Sequence, residues 1–114
     1  MTDLVELTVA EAREGLRNKK FSSLELTEAH LKEMEKGRGL NAFITETPEI
    51  ALERAKASDE KLAKGEGGIL EGIPMGMKDL FCTKGVKTTA ASHILHNFVP
   101  PYESTVSGKL QEAG

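Results

Sequence analysis

The chain has 114 residues, 39% hydrophobic and 29% charged, enough for one domain with a modest core and too apolar in pattern for a disordered tail. With 15 basic against 18 acidic residues the net charge is −3, so no overall positive field draws in phosphate backbones or anionic membranes. No stretch approaches the roughly 18 apolar residues of a membrane span and no apolar leader opens the chain, so no membrane partner is expected and the location is expected to be cytoplasmic or an organellar matrix.

In chain order, Thr8 is followed three residues later by Glu11, and Ser22 by Glu25, each ahead of an apolar-periodic run. This is the capping-box signature, and it predicts two helix starts. Val9, Ala12 and Leu16 mark the inner face of the first helix, and Leu24, Thr27, Leu31 and Met34 that of the second, which stops at Gly37. The pair is expected to form an αα-hairpin with one buried face. "LNAFITET" (40–47) alternates and reads as a short strand. Thr47 and Pro48 then supply an N-cap and a first-turn proline for a helix through Lys64, with a small inward stripe of Ala51, Ala55, Ser58 and Leu62.

"GEGGILEG" (65–72) is a glycine-rich link that lacks dinucleotide spacing, and "GMKD" (76–79) lacks the Ser or Thr of a phosphate loop, so nucleotide binding has no support. A turn is expected at Lys84 and Gly85, followed by a polar small-residue stretch of the kind that lines sites. Pro100 and Pro101 break the chain, and Ser104 or Thr105 caps a last helix reaching Ala113. Because the glycine after it is the final residue, the sequence is expected to be cut from something longer.

Candidate chemistry is sparse. The lone cysteine, Cys82, excludes an internal disulfide and an all-cysteine zinc site and reads as a packed thiol; His93 and His96 are too few to close a metal site. Ser58 and Lys61 match S-x-x-K, but Ser58 falls mid-helix among charges with no apolar pocket to desolvate the lysine, so a solvated helix face is the expected role. Lys78 differs. In "GIPMGMKD" (72–79) it stands in a run of apolar and glycine residues, and an extended backbone would put Pro74, Gly76 and Lys78 on one face. Two readings stay open on spacing alone: a working lysine with space cleared beside it, or an edge strand guarded by lysine and proline.

"GIPMGMKD", then "CTKGVKTTAAS" and "PPYESTVSGKLQEAG", resemble the amidase signature family, and within it the glutamine-hydrolysing subunits of tRNA-dependent amidotransferases. The similarity runs from "LTVAEAREGLRNKKFSSLELTEAHL" to the last residue. The resemblance implies an α/β fold, helices around a mixed sheet. Residues 1–114 would be the N-terminal part of a single amidase domain, with the sheet incomplete and the glycine- and serine-rich signature absent. It also implies a Ser-cisSer-Lys triad in which Lys78 is the lysine, both serines lying downstream.

The implied activity is release of ammonia from glutamine through an acyl-enzyme, to convert mischarged Glu-tRNA(Gln) or Asp-tRNA(Asn) to the amidated form. No cofactor belongs to this segment. A partner B subunit would use ATP and Mg²⁺ and bind most of the tRNA, and a C subunit would brace a heterotrimer. The 114 residues alone are expected to be inactive for want of a nucleophile. Ser92, Thr88 and Thr89 are not promoted to that role, their expected work being loop and cap hydrogen bonds. Two alternatives are a piece of another amidase-signature hydrolase acting on a small amide, and a non-enzymatic interaction module.

Overall fold

A computed structural model describes residues 3–114. Among them are four α-helices: α1 (Val9–Arg17), α2 (Ser23–Lys36), α3 (Pro48–Ala63) and α4 (Thr105–Glu112). The backbone divides into two compact units, the first running to Pro74 and the second from Met75 to Ala113. No helix among the described residues is long and apolar enough to cross a membrane.

In the first unit both expected capping boxes form. Thr8 Oγ1 accepts the Glu11 amide at 3.2 Å while Glu11 returns a carboxylate to the Thr8 amide at 2.7 Å, and Ser22 and Glu25 do the same at 3.0 and 2.8 Å. These pairings satisfy amides that the first turn of a helix leaves open. α2 is capped a second time from across the fold, because the Asp59 carboxylate of α3 accepts the Ser23 and Leu24 amides at 2.6 and 3.0 Å. That contact fixes the register between two helices widely separated in sequence, and α2 packs principally along α3.

The core of this unit is Ala12, Leu16 and Leu26, with Leu4, Leu7, Phe21, Leu62 and Ile73 packed against it. The expected faces need correction in two places. Val9 is 53% exposed and takes no part in the core, whereas Leu26, absent from the expected stripe, is its most buried member at 1%. α1 therefore meets α2 through Ala12, Leu16 and Leu26, and the helix lying along α2 is α3, not its expected hairpin partner. The stripe on α3 holds, with Ala55 and Ser58 buried and Ala51 and Leu62 half-buried.

Gly15, within α1, is required by close approach: a Cβ there would stand 2.3 Å from the Phe21 ring. Alanine normally favours a helix interior over glycine by about 1 kcal/mol. Here Gly15→Ala is expected to destabilise by about 1–3 kcal/mol, since the ring must leave its seat. A urea midpoint that rises on this substitution would contradict the packing.

The strand expected at 40–47 is not formed, and no strand occurs among the described residues, so the mixed sheet is not seen. Arg38–Leu40 is a 3₁₀ turn, Asn41 adopts a left-handed conformation, and Phe43 and Ile44 are 50% and 58% exposed. The alternation in this segment suits a pleated face, but a strand requires a ladder partner for its amides and carbonyls, and none lies alongside. Arg38 and Glu46 instead close the loop with a two-pronged ion pair at 3.2 and 2.8 Å. Pro48 stands in the first turn of α3 as expected, although the Thr47 side chain makes no capping bond.

The second unit is held mostly by loop hydrogen bonds. The expected turn at Lys84–Gly85 is closed by an isolated antiparallel bridge between Thr83 and Val86. Thr88 N–H donates to Phe98 and Gly85 N–H to Pro100, both at 3.0 Å, tying this turn to the proline-rich stretch. Ser104 caps α4, its own amide donates to the Cys82 carbonyl at 2.7 Å, and the fully buried Ser107 hydroxyl lies 2.8 Å from the same oxygen.

Candidate active site

The stretch 72–79 begins in the first unit. Gly72 has φ +82°, and a Cβ there would meet Ser23 and Leu16 at 3.0–3.3 Å, so only glycine passes this point without displacement. The Ser23 hydroxyl donates to the Gly72 carbonyl at 2.8 Å, which anchors the motif's first residue to the start of α2.

Lys78 lies in the second unit. It is exposed, in a segment without regular secondary structure, so neither an edge strand nor a desolvated lysine is realised among the described residues. Its carbonyl accepts the Phe81 amide at 3.1 Å, closing a turn, while its ammonium has no hydrogen-bond or ion-pair partner among those residues.

Asp79, to which sequence reasoning assigned no role, organises the loop beside Lys78. Its carboxylate accepts the Thr89 amide at 2.9 Å, the Ala91 amide at 3.3 Å and the Thr89 hydroxyl, and its carbonyl accepts the Ala90 amide at 2.8 Å. Ala90 and Ala91 both have positive φ, +50° and +56°, a conformation costing an L-residue roughly 1–2 kcal/mol. The amides of Thr89, Ala90 and Ala91 all turn toward Asp79, the first and third onto its two carboxylate oxygens and the middle one onto its carbonyl. The available signal was a carboxylate among apolar and turn residues, which must find donors if it is not to face water.

Burial by itself pushes the Asp79 carboxyl up, and the hydrogen bonds from the Thr89 hydroxyl, the Thr89 amide and the Ala91 amide outweigh it, so its pKa falls below the ordinary aspartate value. A carboxyl lowered on folding stabilises the folded form fully above its unfolded pKa of about 3.9 and loses that contribution as pH falls through the folded value. Protection of the Thr89 and Ala91 amides from hydrogen exchange, corrected for intrinsic rates, is accordingly expected to hold from neutral pH to about pH 4 and to collapse below it. Protection that instead fell between neutrality and pH 5 would point to another group.

The hydroxyls set aside in the sequence do loop work. Thr88 and Thr89 are each 5% exposed; Thr88 Oγ1 donates to the Val86 carbonyl at 3.0 Å, and Ser92 caps the 3₁₀ turn His93–Leu95. Cys82 is half-buried with its sulfur 3.6 Å from the Tyr102 hydroxyl. His93 and His96 are exposed, and His96 Nδ1 lies 2.7 Å from the His93 carbonyl.

Ser58 and Lys61 converge in the first unit, but on a third group. Ser58 is buried, not on a solvated face, and donates to Glu71 Oε2 at 2.6 Å, while Lys61 Nζ stands 3.8 Å from Oε1 and the Gly68 amide 3.3 Å from it. Glu71, 8% exposed, thus collects a hydroxyl, an amide and an ammonium, as a buried carboxylate requires. The S-x-x-K pair fastens the glycine-rich loop to α3, with the lysine directed at a carboxylate and not at the serine.

Residues 25–114 match the family model described as Amidase, and the chain belongs to that family. It is 61% identical over 114 residues to the A subunit of glutamyl-tRNA(Gln) amidotransferase from Paramagnetospirillum magneticum. The proteins of the same name from Beijerinckia indica and Rhodopseudomonas palustris are 60% and 62% identical over the same 114 residues. In each case all of this chain is covered, and it spans 23% of the relative's length.

Proposed function

We propose that these residues form part of a glutamine-hydrolysing amidase component of a tRNA-dependent amidotransferase, in which Lys78 is the lysine of a Ser-cisSer-Lys triad. The observation carrying this reading is the whole-chain similarity to A subunits of glutamyl-tRNA(Gln) amidotransferases, at about 60% identity with no part of the chain left out. In this reading the sequence runs into an α/β domain whose mixed sheet, apolar walls and two serines come from the rest of the subunit's length. Lys78, exposed here, would be enclosed by them. A lysine so enclosed is held neutral by loss of water and by hydroxyl acceptors. It then takes a proton from the bridging serine, which deprotonates the nucleophile attacking the glutamine amide. Ammonia passes to a B subunit that uses ATP and Mg²⁺ on the mischarged tRNA, with a C subunit bracing the pair in the cytoplasm or an organellar matrix.

The test is ammonia release from glutamine by the complete subunit in its complex, compared with release from short aliphatic amides. Glutamine turnover that is lost with Lys78→Ala supports the reading. Equal turnover of simple amides without any partner would favour a general amidase instead.

A further inference from the structure

We propose that Asp79 is a positioning residue for Lys78: by clasping the 89–91 loop it fixes the backbone from which the lysine projects. This rests on the reading of Lys78 as the triad lysine. The Lys78 side chain has no partner among the described residues, so what these residues contribute to its placement is the backbone from which it projects. Two fastenings hold that backbone. One is the Phe81 amide on the Lys78 carbonyl, and the other is the set of bonds that the next residue, Asp79, makes through its carboxylate to Thr89 and Ala91 and through its carbonyl to Ala90. The loop on the far side holds two successive alanines at positive φ, a conformation that persists where surrounding bonds over-determine it. Asp79→Asn keeps one acceptor oxygen but puts an amide N–H₂, which cannot accept, where the other oxygen took the Thr89 hydroxyl and the Ala91 amide. The alanines can then relax toward ordinary φ, and residue 78 loses one of its two fixed neighbours. A displacement of about 1 Å in a reacting group costs on the order of 100-fold in rate.

The test uses the complete subunit in its complex, with glutamine as substrate. Asp79→Asn is expected to lower kcat about 100-fold with KM for glutamine within about twofold, the signature of a lost transition-state geometry and not of lost binding. Thr89→Val, which removes only the hydroxyl bond, should lower kcat less and in the same sense, and Thr89→Ser should keep most of the wild-type rate. In a Lys78→Ala background Asp79→Asn should cost nothing further, since both act through one group. An unchanged kcat in Asp79→Asn, a Thr89→Ser as slow as Thr89→Val, or losses that add to Lys78→Ala would each overturn the inference. Should Asp79→Asn fail to fold, the Thr89 pair decides. A fully active Lys78→Ala overturns the triad reading and this inference with it, whereas an inactive Lys78→Ala beside a fully active Asp79→Asn overturns the inference alone.

Discussion

Lys78→Arg in the complete subunit is expected, on the proposed function, to abolish glutamine hydrolysis nearly as fully as Lys78→Ala, with a loss of about 10²–10⁴-fold in the rate of acylation. The substitution preserves positive charge and length, so it separates two roles for the same side chain. A guanidinium keeps its proton throughout the accessible pH range and cannot serve as a base. If the lysine acted only as a charge, or only as a surface residue discouraging strand association, arginine would replace it with little loss. Single-turnover acylation is the measurement to use, because steady-state turnover would also report the ammonia transfer and partner chemistry of the proposed complex. An arginine variant that retained most of the wild-type acylation rate would remove Lys78 from the proton relay.

The largest effect on stability is expected from Leu26→Ala, a loss of about 2–5 kcal/mol. Leu26 is 1% exposed and packs with Ala12 and Leu16 at the centre of the first unit's core, so truncation leaves a cavity there. Val9→Ala supplies the internal comparison. Val9 is 53% exposed and its loss should fall within about 0.5 kcal/mol. Urea midpoints measured side by side test both, and a Val9 effect equal to that of Leu26 would restore the inner face expected from helical spacing.

That comparison shows where local pattern and tertiary packing part. Periodicity identified α1 and α2 and their starts, since a capping box satisfies amides within four residues of sequence and needs nothing from elsewhere. It placed most of their inward residues and erred at two, Val9, which is exposed, and Leu26, which is buried. The direction of burial depends on where the neighbour lies, and α2 found α3 through Asp59, a contact spanning 36 residues. The segment 40–47 failed for a related reason, as alternation describes how a strand would present its side chains and says nothing of whether a pairing partner is at hand.

The motif around Lys78 divides in the same way. The order of residues from Gly72 to Asp79, together with the two downstream stretches, was sufficient by itself to mark the chain as a member of the amidase family, because that resemblance is carried by residue identity and spacing. The helix caps, the turn at Lys84–Gly85 and the proline-opened α3 were likewise legible, each being a short-range arrangement of donors, acceptors and allowed φ. Only the tertiary structure decided that Asp79 reaches ten residues ahead to clasp Thr89, that Glu71 gathers Ser58, Lys61 and Gly68, and that Leu26 anchors the core. In each of those cases a buried carboxylate or apolar side chain had to find partners in space, and which partners were within reach was determined by how the chain folded back on itself.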